Sequence, residues 1–188
     1  MKIICVLGSP REKGNSTAIV KKFCEAAEKK GADIESYNLN SLSFKGCQGC
    51  MTCKTKTERC VVKDDLKQVL DAIYEADILV LASPVYMGGV SGQLKCFLDR
   101  TFSFLTPDFK TSPDPSRLPK GKKALVVTTQ GAPESMFKDV ADQLEMMLKR
   151  HGFSEVKTIR GGGIRDIGDA EKDERVMGLA VESAKQLT

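Results

Sequence analysis

Apolar runs that can only be buried alternate along this chain with runs that repeat at helical spacing, and that alternation sets the class of fold. Lys2–Leu7 is a short β-rich run closed by Gly8. Ile78–Ala82 and Ala124–Thr128 are continuous apolar runs, as in strands covered on both faces. Ile34–Leu39 alternates as an edge strand does, and Val156–Ile159 supplies a fifth strand. Between them, apolar side chains recur every three or four residues. Ile19, Val20, Phe23, Cys24 and Ala27 mark a first helix, stopped at Gly31. Asp64-Asp65 opens a second, with Leu66, Val69, Leu70 and Ile73 inward. Leu94, Phe97, Leu98 and Phe102 mark a third, and Met136, Val140, Leu144 and Leu148 a fourth. Ala170–Leu187 is the last, with Met177, Ala180, Val181 and Ala184 inward. Five βα units predict a mainly parallel sheet covered by helices on both faces. At 188 residues the chain suits one domain, 1–188, with a full core.

Two segments interrupt the pattern. Thr106–Lys123 is rich in Pro, Ser, Asp and Lys and reads as a surface loop, or as a lid or interface arm. Phe44–Lys63 holds Cys47, Cys50, Cys53 and Cys60, spaced C-x2-C-x2-C-x6-C. Packing does not explain that recurrence, because a buried cysteine used as a small hydrophobe has no reason to repeat so. Cys5, Cys24 and Cys96 lie in apolar segments and read as core residues. The opening MKIICVLGSP is too short for a membrane span and turns at Gly-Ser-Pro, so a signal peptide is not expected. A reducing cytoplasm follows as the expected location, and clustered thiols there bind metal or do redox work. The net charge of +4 is spread along the chain with no basic run or recognition motif, which argues against nucleic-acid binding.

Three loops lie at strand ends where an α/β sheet binds ligands. Gly8–Thr17 joins the first strand to the first helix. Its small residues, its Ser9, Ser16 and Thr17 hydroxyls and the Arg11 charge make an anion site at a helix N-terminus. Neither a Walker A sequence nor G-x-G-x-x-G is present, which argues against a nicotinamide Rossmann site at this loop; a simple turn capped by Asn15 or Ser16 is the alternative. Ser83–Gly92 follows the third strand. There Pro84 and paired glycines open the backbone to a flat ring, and Tyr86 and Met87 offer apolar contact. Thr129-Gln130-Gly131-Ala132 is a second small polar turn on the same rim. One loop for phosphate and two for a planar ring suit a mononucleotide such as FMN at a topological switch point.

GSPREKGNST followed by ASPVYMGGVSGQLKCFLDR resembles the NAD(P)H-dependent FMN reductase group of flavodoxin-like proteins. With KGCQGCMTCKTKTERCVVKDDL between them, the chain resembles the iron–sulfur flavoproteins specifically, over essentially its whole length. The resemblance implies a flavodoxin-like doubly wound sheet of order 2-1-3-4-5 with a cysteine-rich insert. It implies FMN phosphate contacts from Ser9, Arg11, Asn15, Ser16 and Thr17. It also implies that Pro84, Val85, Tyr86, Met87 and Gly88 flank the isoalloxazine ring, with Gln130 and Gly131 on the same rim. Members are homo-oligomers, here expected as a homodimer or homotetramer, in which FMN and cluster of different subunits come close.

The cysteines admit three readings. They are ligands of a [4Fe–4S] cluster, held by soft anionic thiolates, or of tetrahedral zinc, or they form a redox dithiol. Lys45, Lys54, Lys56, Arg59 and Lys63 surround the segment and either offset an anionic cluster or form a solvated face. The expected function is electron transfer between a one-electron carrier such as a ferredoxin and FMN or a downstream acceptor. The alternative is an NAD(P)H-dependent FMN or quinone reductase with a structural, zinc-filled loop. The one histidine, His151, is read as a cation at a helix C-terminus rather than a catalyst.

Overall fold

The computed structural model describes residues 1–188. Five parallel strands form the sheet: β1 (Lys2–Leu7), β2 (Asp33–Asn38), β3 (Ile78–Tyr86), β5 (Lys123–Thr129) and β6 (Glu155–Gly161). The two-residue β4 (Gly89–Val90) pairs back onto β3. The order is β2-β1-β3-β5-β6, which is the expected 2-1-3-4-5 once the short hairpin strand is set aside. This is a flavodoxin-like fold. Alternate residues of β1 face opposite ways. Ile4 and Val6 join a core beneath α3 (Leu66–Glu75), α4 (Gly92–Arg100) and α5 (Lys138–Arg150). Ile3 and Cys5 join the core under α1 (Asn15–Glu28) and α7 (Glu174–Leu187). Two single turns of helix, α2 (Thr52–Thr55) and α6 (Asp169–Lys172), lie outside this plan.

The departures from the sequence reading have local causes. Residues after Ala82 form no open loop; β3 runs on to Tyr86 and folds into a hairpin. Met87 and Gly88 both take positive φ, 49° and 76°, as a tight two-residue hairpin turn requires. The Ser83 hydroxyl accepts the Ser91 N–H at 2.9 Å and fixes the return. The fifth helix is broken at Asp173, whose carboxylate accepts the Arg175 and Val176 N–H groups at 3.0 and 3.2 Å and starts α7 afresh. Met136 lies before α5 and is exposed, because Phe137 turns to φ 53° and the helix begins at Lys138. Arg100 ends α4, and Phe102 falls in a 3₁₀ turn, Thr101–Phe104.

All seven cysteines are free thiols. Cys5 is buried, while Cys24 and Cys96 are half-buried. The Cys5 and Cys24 sulfurs lie 3.7 Å apart. His151 does cap α5, but not as a surface cation. It is buried, with Nδ1 2.7 Å from the Met147 carbonyl oxygen and Nε2 3.1 Å from that of Thr101. Burial pushes its pKa below the ordinary histidine value, so a proton is disfavoured there. Residues 106–122 form an arm joined to the body by the Leu105–Ser116 bridge and by the Arg117 N–H bond to the Phe104 carbonyl at 2.7 Å, and Lys123 already opens β5. No helix is long and apolar enough to cross a membrane.

Candidate cofactor sites

β1, β3 and β5 end side by side at the carboxyl edge, and their loops enclose a cleft of about 280 Å³. Ser9, Arg11, Asn15, Ser16, Pro84, Val85, Tyr86, Gln130 and Gly131 line it together. Thr17, Met87 and Gly88 do not. The Thr17 side chain lines a cleft on the outer side of α1, Met87 is fully exposed at the hairpin tip, and Gly88 faces a groove beside α5. The outer cleft is larger, about 720 Å³, yet it is lined by Lys13, Lys21 and Lys22 with Glu12, Glu25 and Glu171, and by no residue of the loops after β3 or β5. Unpartnered donors, not volume, distinguish the smaller cleft.

Those donors come from the start of α1. Gly14 precedes the helix with no side-chain cap. The first intrahelical bond is Ala18 N–H to Gly14 O at 3.0 Å, so the N–H groups of Asn15, Ser16 and Thr17 have no helical partner. The Ser16 hydroxyl is buried and makes no hydrogen bond. A buried orphan hydroxyl beside free N–H groups at a positive helix end suits an anion. The loop is pre-shaped: Ser9 Oγ accepts the Arg11 N–H and donates to the Arg11 carbonyl, each at 3.1 Å. A Cβ at Gly14 would stand 2.4 Å from Ser9 Oγ and would push that hydroxyl off its Arg11 bonds. Asn15 is committed elsewhere. Its Nδ2 donates to the Asp166 carbonyl at 2.9 Å and its Oδ1 accepts the Ala170 N–H at 3.2 Å, tying the loop after β6 to the cleft.

Gln130 is buried at the other end of the cleft. Its Nε2 donates to the Pro133 and Met136 carbonyls at 2.7 and 3.0 Å. Both amide hydrogens therefore hold the loop before α5, and its Oε1 stays available. Asn40, just past β2, makes a long 3.5 Å bond to the Pro10 carbonyl and accepts Gln93 Nε2 at 3.1 Å.

Cys47, Cys50, Cys53 and Cys60 line a single cavity of about 90 Å³ with Met51, Val61, Val62 and Phe102. It shares no lining residue with the cleft. Gly49 and Met51 take φ of 63° and 56°, and these left-handed kinks curl the Cys47–Cys53 run about one point. The Thr52 side-chain and backbone hydrogen bonds lower the Cys50 pKa, while burial raises that of Cys53. No three His, Cys, Asp or Glu side chains gather closely enough to hold a single metal ion. Four thiols around one largely apolar cavity are the soft donor set that a metal or iron–sulfur centre uses.

The charged groups around this cavity differ from the expected lysines. Lys54 is buried, and its ammonium donates to the Phe102 and Leu105 carbonyls, each at 2.5 Å. Arg59 lies over the Tyr74 ring and pairs with Asp71 at 3.6 Å. The cation that lines the cavity is Arg100, whose Nε donates to Cys60 Sγ at 3.0 Å. Burial alone would raise the Asp64 carboxyl, but the Arg100 fork and the Lys45 and Leu66 N–H groups outweigh it and hold the pKa low. Arg117 braces the loop from the arm, donating to the carbonyls of Cys53 at 2.8 Å and Ser103 at 3.0 Å.

The sequence profile of the NADPH-dependent FMN reductase family matches residues 1–159. An iron–sulfur flavoprotein of Archaeoglobus fulgidus is 32% identical over 174 residues, covering 91% of this chain and 74% of that relative. The chain belongs to the FMN reductase family, among its iron–sulfur flavoproteins. Another iron–sulfur flavoprotein, from Methanocaldococcus jannaschii, is 41% identical over 101 residues, 54% of this chain and only about half (52%) of that relative. Among solved structures, an NAD(P)H:quinone oxidoreductase from Methanothermobacter marburgensis superposes with a TM-score of 0.77 at 18% identity, over 100% of this chain and 96% of the other. That likeness is one of fold.

For an iron–sulfur flavoprotein, some lining residues were not legible from motifs. Ile164 and Arg165 complete the cleft beside Thr129. Both follow Gly161-Gly162-Gly163, a glycine run after a strand end like those already singled out. A Cβ at Gly162 would lie 2.3 Å from the Glu134 backbone nitrogen, so the run lets two rim loops touch. Arg100 carried a signal as well: it falls three residues after Phe97, on the inward face of α4, where a lone arginine needs a buried partner.

Proposed function

We propose that this protein is an electron-transfer flavoprotein that holds FMN in the cleft and a [4Fe–4S] cluster on Cys47, Cys50, Cys53 and Cys60. The observation that carries the reading is the presence of two separate donor sets: an uncapped helix start with an orphaned Ser16 hydroxyl, and four thiols around one cavity. When bound, FMN exchanges one or two electrons and the cluster one, so together they join one-electron and two-electron partners. Ser16 and the N–H groups of Asn15, Ser16 and Thr17 would take the FMN phosphate, Arg11 would neutralise it, and Ser9 would hold the loop. Pro84, Val85 and Tyr86 would lie along the ring, with Gln130 Oε1 and Gly131 at its polar edge. Met87 and Gly88, at the hairpin tip, would reach the ring of a neighbouring subunit. The exposed Tyr86, Met87 and Met136 support such a homodimer or homotetramer.

Cys47 and Cys50 are exposed, which suits electron exchange with a second protein. Lys45, Lys56 and Lys63 are exposed around them and suit an acidic one-electron carrier of the ferredoxin kind. Because the family is described as NADPH-dependent, a second reading stays open: hydride from NAD(P)H to FMN, with the cysteine loop structural. Stopped-flow mixing under anaerobic conditions separates the two. The first reading expects slow flavin bleaching by NADPH and fast bleaching by a reduced ferredoxin. Fast bleaching by NADPH, in a preparation without broad iron–sulfur absorbance, overturns it in favour of the second.

A further inference from the structure

Arg100 is the one charged side chain lining the cysteine cavity, and it is not on the cysteine loop. It sits at the last turn of α4 and is 1% exposed. Every nitrogen of its guanidinium is engaged. Nε donates to Cys60 Sγ at 3.0 Å. Nη1 donates to the Lys45 carbonyl at 2.9 Å and to Asp64 at 2.8 Å. Nη2 donates to Asp64 at 3.2 Å and to the Val62 carbonyl at 3.3 Å. The planar fork therefore grips the carboxylate with both terminal nitrogens, ties the entry and exit of the loop together, and aims the remaining N–H at a sulfur.

We propose that Arg100, locked by Asp64, is a positioning residue whose Nε–H bond to the Cys60 sulfur raises the reduction potential of the cluster. The inference rests on the reading of the four cysteines as cluster ligands. A purely mechanical brace would use carbonyls, as Arg117 does on Cys53 and Ser103. A thiol sulfur is a weak acceptor, so a buried guanidinium gains little from it unless the sulfur is anionic. Reduction adds negative charge to the cluster, and hydrogen bonds to its sulfurs are among the determinants of potential. A donor fixed on one ligand sulfur favours the reduced form, whereas the guanidinium charge itself is largely offset by the Asp64 carboxylate it grips. Lysine at position 100 would keep the charge but could not grip Asp64 bidentately while donating to Cys60.

The test is an EPR-monitored redox titration with dithionite on anaerobically purified protein, with iron and FMN content measured alongside. The variants are Arg100→Lys and, as a brace control, Arg117→Lys. Arg100→Lys is expected to keep iron and to become harder to reduce, with the reduction equilibrium shifted about tenfold, about 59 mV for a one-electron couple. Arg117→Lys is expected to titrate as the wild type does. An unchanged potential in iron-replete Arg100→Lys, or an equal shift in Arg117→Lys, overturns the proposal. If Arg100→Lys takes up no iron, Asp64→Glu decides. It keeps the carboxylate charge and the Nε donor but shifts the carboxylate that fixes the fork, so its potential is expected to fall, and an unchanged value is again fatal. Wild-type protein that carries FMN but no iron refutes the cluster reading itself, and with it this role for Arg100.

Discussion

Replacing Ser16 with alanine should have opposite effects on the empty and FMN-loaded protein. The Ser16 hydroxyl is buried at the start of α1 with no partner. In the FMN-free protein it contributes only the cost of desolvation, about 1–3 kcal/mol for an unsatisfied buried group. Its removal should therefore leave the melting temperature unchanged or raise it, by about 2–4 °C per kcal/mol for a domain of this size. With FMN present, the same hydroxyl would donate to a phosphate oxygen, and a hydrogen bond to a charged group contributes about 1.5–3 kcal/mol. At 1.4 kcal/mol per factor of ten, the FMN dissociation constant should rise by about 10- to 150-fold. Calorimetric titration of FMN into the apoprotein measures the second effect, and thermal melts with and without FMN measure both. A dissociation constant within about threefold of wild type would mean that this hydroxyl does not face the phosphate. A fall in apoprotein stability with unchanged binding would make Ser16 an ordinary packing residue.

Other predictions concern the second site and the buried histidine. Cys50→Ala should abolish iron binding and leave FMN bound, because the cavity and the cleft share no lining residue. Unchanged iron content by chemical assay would remove Cys50 from the ligand set. Burial depresses the His151 pKa, so between pH ~6.5 and its lowered folded value the unfolded chain takes up a proton that the folded one resists. The histidine's contribution is fully present above pH ~6.5 and is lost as pH falls through the folded pKa. Melts from about pH 7.5 to pH 5 should show a shallower decline in His151→Gln than in the wild type. Parallel declines would show that another group carries the acid sensitivity.

The fold was legible because burial on both faces leaves long apolar runs. β1, β3 and β5 announce themselves this way, and the helices that cover them repeat with matching spacing. The hairpin at Met87-Gly88 was not legible, since a methionine at positive φ is uncommon and only the pairing of Val85 with Val90 demands it. The break at Asp173 was hidden by an apolar period that continues across it, although aspartate is a ready N-cap. At the cleft, side-chain type pointed to the right loops but not to each atom's role. Asn15 reads as a ligand donor, yet both ends of its amide are bonded to the Asp166–Ala170 stretch, a tertiary contact that no local pattern encodes. At the cysteine loop the spacing named four thiols. The cation beside them came from α4, 40 residues beyond Cys60, rather than from the neighbouring lysines.

The two-cofactor claim stands most directly on one measurement. Protein purified without oxygen should contain about one FMN and four irons per chain and, after reduction with dithionite, should give a low-temperature EPR signal of a reduced iron–sulfur cluster. Protein with full FMN, fewer than about one iron per chain and no such signal would contradict the account.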